Sequence, residues 1–122
     1  MAEHLQDITD MLEGGDSHPA FIMLYEGGDA VAFVEAALRH DYVNGCDTSP
    51  VVFVEGLYVT ERARRGGVAK LLIDRVAAWG QAQGCVDMAS DTAVTNLESH
   101  AFHLSAGFIE TERVVYFRKA IG

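Results

Sequence analysis

The spacing of hydrophobic and polar residues changes several times along the chain, and each change marks an element. Leu5, Ile8, Met11 and Leu12 recur at helical spacing, which predicts a helix over roughly residues 3–13. Gly14-Gly15-Asp16-Ser17-His18-Pro19 breaks it. Ala20 to Glu26 reads as a strand, Gly27-Gly28-Asp29 as a hairpin turn, and Ala30 to Leu38 as the partner strand. Arg39 to Pro50 is a polar loop with turn chemistry at Asn44-Gly45. Val51 to Val59 reads as a central strand. Gly67 to Gln83 then reads as a helix, with Val68, Leu72, Val76 and Trp79 in one apolar stripe and Gly84 as its stop. Cys85 to Ser90 is a further short strand. Leu97 to Ala106 is helical, capped by Asn96 or Thr95 and stopped by Gly107. Phe108-Ile109-Glu110 and Glu112 to Lys119 predict a closing β segment. The order ββ–β–α–β–α–β describes a mixed α/β sheet in one domain over residues 1–122.

Composition narrows the classes. With 122 residues, 49% of them hydrophobic, the chain suits one compact domain and excludes disorder. No apolar run approaches the length of a membrane span, and Met1-Ala2-Glu3-His4 has no signal-peptide character, so the expected location is cytoplasmic. Cys46 and Cys85 stand alone, without metal-ligand spacing, and read as free thiols, a single disulfide being the alternative. The histidines form no zinc pattern, and no metal is expected.

Charge distribution says more than the net value of −9, which itself argues against a nucleic-acid partner. Residues 1–61 hold twelve acids and one base, Arg39. Residues 62–75 then hold five bases, Arg62, Arg64, Arg65, Lys70 and Arg75. An anion site thus sits inside an acidic protein, and an acidic cleft would attract a polycationic partner. The basic group occupies Arg64-Arg65-Gly66-Gly67-Val68-Ala69, between the 51–59 strand and the helix that follows it. A glycine turn there bares backbone N–H groups where a helix dipole begins, which is how chains hold a pyrophosphate. Gly67 allows close backbone approach, Ala69 avoids a side-chain clash, and Arg64 supplies charge and a forked donor.

Strand, R-x-x-G-x-A, helix resembles the acetyl-CoA loop of the GNAT N-acetyltransferases. Asn96-Leu97-Glu98-Ser99-His100-Ala101-Phe102-His103-Leu104-Ser105-Ala106-Gly107-Phe108 is similar to a second GNAT segment, N-x-x-A-x-x-h-Y-x-x-x-G-F. The resemblance implies a mixed, splayed sheet with acetyl-CoA entering between the 51–59 and 85–90 strands. It also implies coenzyme contacts from Leu57, Tyr58, Val59, Arg64, Arg65, Gly66, Gly67, Val68, Ala69, Lys70 and Asn96. The family tyrosine beside the thioester sulfur is replaced by His103, an imidazole that either donates a proton to the leaving thiolate or does no chemistry.

Four further segments, 39–47, 49–56, 88–92 and 110–113, resemble one group within that superfamily, the aminoglycoside 6′-N-acetyltransferases. The similarity runs from about Phe21 to Lys119. It implies that Tyr42, Glu55, Asp91 and Glu112 face an aminosugar, with Glu55 or Asp91 accepting the proton that the 6′-ammonium must lose. Glu55 is also unusual on its own terms, as a carboxylate in an otherwise apolar strand. Relative to that group the chain lacks an initial strand and helix. The uncovered sheet edge and the apolar Val114-Val115-Tyr116-Phe117 segment predict a homodimer. Two other readings suit the same residues: a GNAT acting on another polyamine or a peptide amine, and a non-catalytic short form that binds acyl-CoA or aminoglycoside.

Overall fold

The computed structural model describes residues 5–11, 20–64 and 66–122. It divides into two compact units, Met1–Asp91 and Thr92–Gly122. The first is a five-stranded sheet in the order β1-β2-β3-β4-β5 with one long helix. Its strands are β1 Leu5–Met11, β2 Ala20–Glu26, β3 Asp29–Arg39, β4 Val51–Val59 and β5 Met88–Ala89. The helix α1 spans Val68–Ala82, preceded by a 3-10 turn at Glu61–Ala63.

β1 replaces the helix expected at the start of the chain. It pairs antiparallel with the whole of β2, from Leu5↔Glu26 to Met11↔Ala20. Apolar residues at three- and four-residue intervals over so short a stretch fit a helix, but an edge strand tolerates them too. The available ladder on β2 decides the outcome. The expected helix ends, residues 3–4 and 12–13, lie outside the described residues.

β2 and β3 form the expected hairpin. Glu26 pairs with Asp29, so the turn is Gly27-Gly28 alone, and both have positive φ (59° and 88°), as a tight right-twisted hairpin requires. Alternation along β2 buries Ala20, Ile22 and Leu24 and leaves Phe21 and Met23 half-buried on the other face. Phe21 stacks on Phe33 (5.4 Å between centroids), which in turn meets Tyr58 (5.9 Å). α1 covers the opposite face, packing on β3 and β4. Ile22, Leu24, Val31, Val34, Val51, Val52, Val68, Leu72 and Val76 are fully buried. Burial of each such side chain contributes about 1.5–3 kcal/mol. The α1 stripe ends at Gly80, which is buried; Trp79 is only half-buried. α1 stops in a paired arrangement in which Gly84 (φ 91°) donates to Gln81 and Cys85 donates to Gly80 at 2.9 Å.

The second unit contains α2, Leu97–Ser105. Asn96 is its cap, with the side-chain oxygen accepting from Ser99 N–H at 3.1 Å. Gly107 (φ 95°) and Phe108 close it, donating to Leu104 and His103. The closing β segment expected over 108–110 and 112–119 is not a strand. Val115, Tyr116 and Phe117 are 77%, 81% and 92% exposed. β-branched and aromatic residues favour a strand only where a neighbouring strand supplies a ladder, and none pairs with this segment among the described residues. No helix among the described residues is long and apolar enough to cross a membrane.

Gly80 tests the α1–β4 packing. A Cβ there would lie 2.7 Å from Val52 Cγ1 and 3.1 Å from Val52 Cβ. Val52 is buried and β-branched, so it cannot turn away freely. Gly80→Ala gains about 1 kcal/mol of helix propensity but overpacks the contact at a cost of about 1–3 kcal/mol. The expected outcome is a lower urea midpoint than wild type; a higher midpoint would show that the contact yields.

Candidate functional site

Two irregularities of β4 create the site. The first is a bulge: Glu35 pairs with Gly56 while Ala36 pairs with Val54, so Glu55 is the extra, unpaired residue of the strand. The second is a fork. β5 runs parallel to β4 for only two pairs, Val52↔Met88 and Phe53↔Ala89. Glu55 and Asp91 each stand two residues beyond the Phe53↔Ala89 pair, at the ends where the strands part company. Both carboxylates are exposed. Glu55 is therefore no buried core charge: the bulge, not a desolvated pairing, accounts for a carboxylate in this apolar strand.

The 40–50 loop joins β3 to β4 and reaches the start of β5. Val43 is buried, Cys46 N–H donates to Val43 at 2.9 Å, and Ser49 Oγ donates to the His40 carbonyl at 3.3 Å. Thr48 Oγ1 donates to Asp87, just before β5. Tyr42, between Asp41 and the buried Val43, is 67% exposed. At the loop's entrance Arg39 donates twice to Asp41, from Nε to Oδ1 at 3.0 Å and from Nη2 to Oδ2 at 2.9 Å. Its guanidinium also lies over the Phe53 ring, 5.2 Å from the centroid. These bonds, and after them the charges of Asp41, Glu55 and Asp91, hold Arg39 above its ordinary pKa. They pull the Asp41 carboxyl down to about 2. Nothing in the spacing of Arg39 and Asp41 marks such a clamp, and the sequence reading left both without a role.

The basic turn follows β4. Gly67 has φ 79° and open space where a Cβ would stand, and it caps α1. Arg64 Nε donates to the Val59 carbonyl at 3.1 Å, which ties the turn back to the end of the strand. Arg62 is turned the other way, to the β2–β3 hairpin, reaching Asp29 at 3.5 Å and the Glu26 carbonyl at 3.4 Å. Gly66 and Lys70 are exposed, Val68 is buried, and Ala69 is half-buried. Arg65 lies outside the described residues. Leu57 is half-buried, Tyr58 exposed and Val59 buried along β4. No group of acidic, histidine or cysteine side chains suited to a metal ion occurs among the described residues.

The other expected residues belong to the second unit. Asn96 spends its side-chain oxygen on the α2 cap. His103 Nδ1 is 2.7 Å from the Ser99 carbonyl, and its ring meets Phe102 and Phe108 edge-on at 5.7 and 5.0 Å. A carbonyl only accepts, so Nδ1 carries the hydrogen, and in the neutral ring Nε2 holds the lone pair. Glu112 is exposed; its neighbour Arg113 pairs with Glu110 instead, at 2.8 Å. Cys46 and Cys85 are free thiols. Burial raises the pKa of both, and the carboxylates of Asp87 and Asp47 add to this at Cys46, which disfavours either as a nucleophile.

Residues 2–108 match the Acetyltransferase (GNAT) family. Aminoglycoside N(6')-acetyltransferase type 1 of Serratia marcescens is 49% identical over 120 residues, covering 98% of this chain and 82% of that protein. The protein of the same name from Salmonella typhimurium LT2 is 48% identical, covering 95% and 79%. Among solved structures, AAC(6')-Iy in complex with the bisubstrate analogue CoA-S-monomethyl-acetylneamine superposes with a TM-score of 0.82 at 50% identity, over 86% of this chain and 71% of that one. AAC(6')-IG from Acinetobacter haemolyticus gives 0.82 at 46%, over 87% and 73%. With its bulged β4, its two-pair fork to β5 and its glycine-capped α1, the chain belongs to the GNAT acetyltransferase family and, within it, to the aminoglycoside 6′-N-acetyltransferases.

Proposed function

We propose that the chain transfers the acetyl group of acetyl-CoA to the 6′-amine of an aminoglycoside, with residues 1–122 acting as one acetyltransferase domain. The observation that carries this reading is the fork, where Glu55 of β4 and Asp91 after β5 each stand two residues beyond the last pair of the two strands. Two exposed carboxylates at one opening suit a polycationic aminosugar, and the activity named for the relatives supports the same substrate. Tyr42 borders the sugar from the loop, and Glu112 adds a further carboxylate. The turn at Arg64, Gly66 and Gly67, with Arg65, Val68, Ala69 and Lys70, receives the pyrophosphate. Asn96 meets the pantetheine arm through the amide nitrogen that its cap leaves over.

The chemistry needs no covalent intermediate on the protein. The 6′-ammonium binds Glu55 and Asp91 and gives one proton to a carboxylate, directly or through a water. The neutral amine then attacks the thioester carbon, and its nitrogen gives up a second proton to solvent as the tetrahedral intermediate collapses to the amide. Backbone N–H groups of Leu57 and Val59, which point away from β3 on the edge that β5 leaves unpaired, hold the developing oxyanion. The C–S bond breaks and CoA leaves as thiolate. His103 can protonate it only as imidazolium, because its neutral ring keeps its hydrogen on Nδ1.

The protein is a cytoplasmic homodimer in this reading. Free thiols suit a reducing compartment. The exposed Val115, Tyr116 and Phe117 lack a strand partner among the described residues, and a second copy would supply one. Light scattering at micromolar concentration should give the dimer mass; a clean monomer mass removes the homodimer.

Thiol release from acetyl-CoA tests the activity itself. Stimulation by 6′-amino aminoglycosides and not by 6′-hydroxy analogues is expected. Stimulation by spermidine or peptide amines alone would assign a different acceptor, and binding without turnover would make the chain a non-catalytic module. Glu55→Gln and Asp91→Asn should each lower kcat, by about 10²–10⁴-fold for the carboxylate that serves as base, with coenzyme affinity kept. Near-wild-type turnover in both would show that neither carboxylate acts. Full rate in His103→Phe would leave protonation of the thiolate to solvent.

The coenzyme loop is tested separately by calorimetry. Arg64→Ala should weaken acetyl-CoA binding roughly tenfold or more, since a charge-assisted hydrogen bond contributes about 1.5–3 kcal/mol. Gly67→Ala introduces strain at positive φ without crowding; Gly67→Asp adds a negative charge among phosphates and should lose more. Unchanged affinity in Arg64→Ala and Gly67→Asp would remove the phosphate loop from this turn.

A further inference from the structure

Arg39 is the one base among residues 1–61, and it lies beside the carboxylates that the proposed reaction needs. It ends β3, paired with Val51 of β4, yet its guanidinium reaches one step along the sheet to cover Phe53. Glu55 stands two residues further along the same strand, at a rise of about 3.3 Å per residue. Asp91 stands level with it beyond β5. A flexible cation so placed is a rival for any substrate ammonium. It is held back by Asp41, whose two oxygens take two of its N–H groups in a fork. The pair is open to water, with side chains 35% and 66% exposed, so stability is a poor reason for it. What the fork does well is fix where the arginine points.

We propose that Asp41 is a decoy carboxylate, which engages Arg39 against Phe53 and so keeps Glu55 and Asp91 open to a cationic substrate. Asp41 is then a positioning residue that acts through Arg39 and touches no reacting atom. This rests on the acetyl acceptor being a polycation bound at Glu55 and Asp91. Without Asp41, Arg39 can swing to Glu55 or Asp91 and neutralise it. Substrate must then displace an internal cation, and its affinity falls while the chemical step is untouched.

The test is a double-mutant cycle read in two ways: calorimetric binding of neamine and of spermidine, and acetyl transfer to neamine at saturating acetyl-CoA. D41N should weaken cation binding about tenfold and raise KM to match, with kcat kept. R39Q should bind as tightly as wild type or tighter. In the R39Q background, adding D41N should change affinity less than twofold, because no arginine remains to be released. Equal losses in R39Q and D41N would make the pair a structural clamp and overturn the decoy. An equal D41N penalty in both backgrounds would reduce Asp41 to its own local field and overturn it as well. Binding keeps this separate from the reaction. Cation binding in the expected order without turnover sinks the acetyltransferase reading and leaves the decoy standing. Turnover without that order does the reverse, and wild-type protein that binds neither cation sinks both.

Discussion

Strand β4 is paired on both edges at Val52 and Phe53 and on one edge only from Val54 onward, and the site follows from that asymmetry. While both edges are satisfied, the strand is an ordinary central strand, buried under α1 through Val52 and Gly80. Beyond Phe53 the β5 ladder ends, and the bulge at Glu55 shifts the register against β3. An unpaired edge inside a sheet is normally a liability, because its N–H and C=O groups seek partners. Here the opening lies past the end of β5, on the part of β4 that leads to the turn into α1. That is the position at which open α/β sheets receive ligands.

Charge is divided along the same line. Of the bases grouped at 62–75, Arg62 is engaged by the β2–β3 hairpin and Arg64 is anchored by Nε to the last carbonyl of β4. A pyrophosphate at this turn, as proposed, would depend on Gly67 and the first turn of α1 as much as on the number of arginines. The carboxylates of Glu55 and Asp91, two residues past the last pair of β4 and β5, act on Arg39. In the proposed reading, one strand leads from a place for a polycation, at Glu55, to a place for a polyanion, at the turn that follows Val59. A transferase that joins an acidic coenzyme to a basic acceptor needs that separation, since mixing the two fields would make each partner compete with the protein's own charges.

Most of the sheet was legible because its signals are local. Gly27-Gly28 dictates the hairpin, alternation over Ala20–Glu26 dictates the buried face, and the Val68, Leu72, Val76 stripe dictates α1. The failures are where a partner decides. Leu5 to Met11 carries helical spacing yet lies as a strand, because β2 offers an edge. Val114 to Phe117 carries strand propensity yet forms none, and no strand pairs with it among the described residues. In the site, Glu55 and Asp91 were legible from their motifs, but the bulge that exposes Glu55 depends on the register of β3, which no single segment encodes. The Arg39–Asp41 fork was invisible for a similar reason: what makes it notable is Phe53, on another strand.

The imidazole at position 103 shows how a backbone contact limits a side chain's chemistry. A histidine in place of a hydroxyl acid keeps an N–H donor in the last turn of α2. Yet the Ser99 carbonyl, one helical turn back, claims Nδ1–H at 2.7 Å, and the edges of Phe102 and Phe108 flank the ring. A tyrosine hydroxyl donates while neutral. This imidazole, with Nδ1–H committed, donates from Nε2 only after it has been charged. An acid of this kind works only if the proton is loaded before the thiolate appears, and after release its Nε2 lone pair turns it into an acceptor. In the proposed reaction the histidine would take that proton from solvent, and the proton the amine gave up need not be the one the thiolate receives.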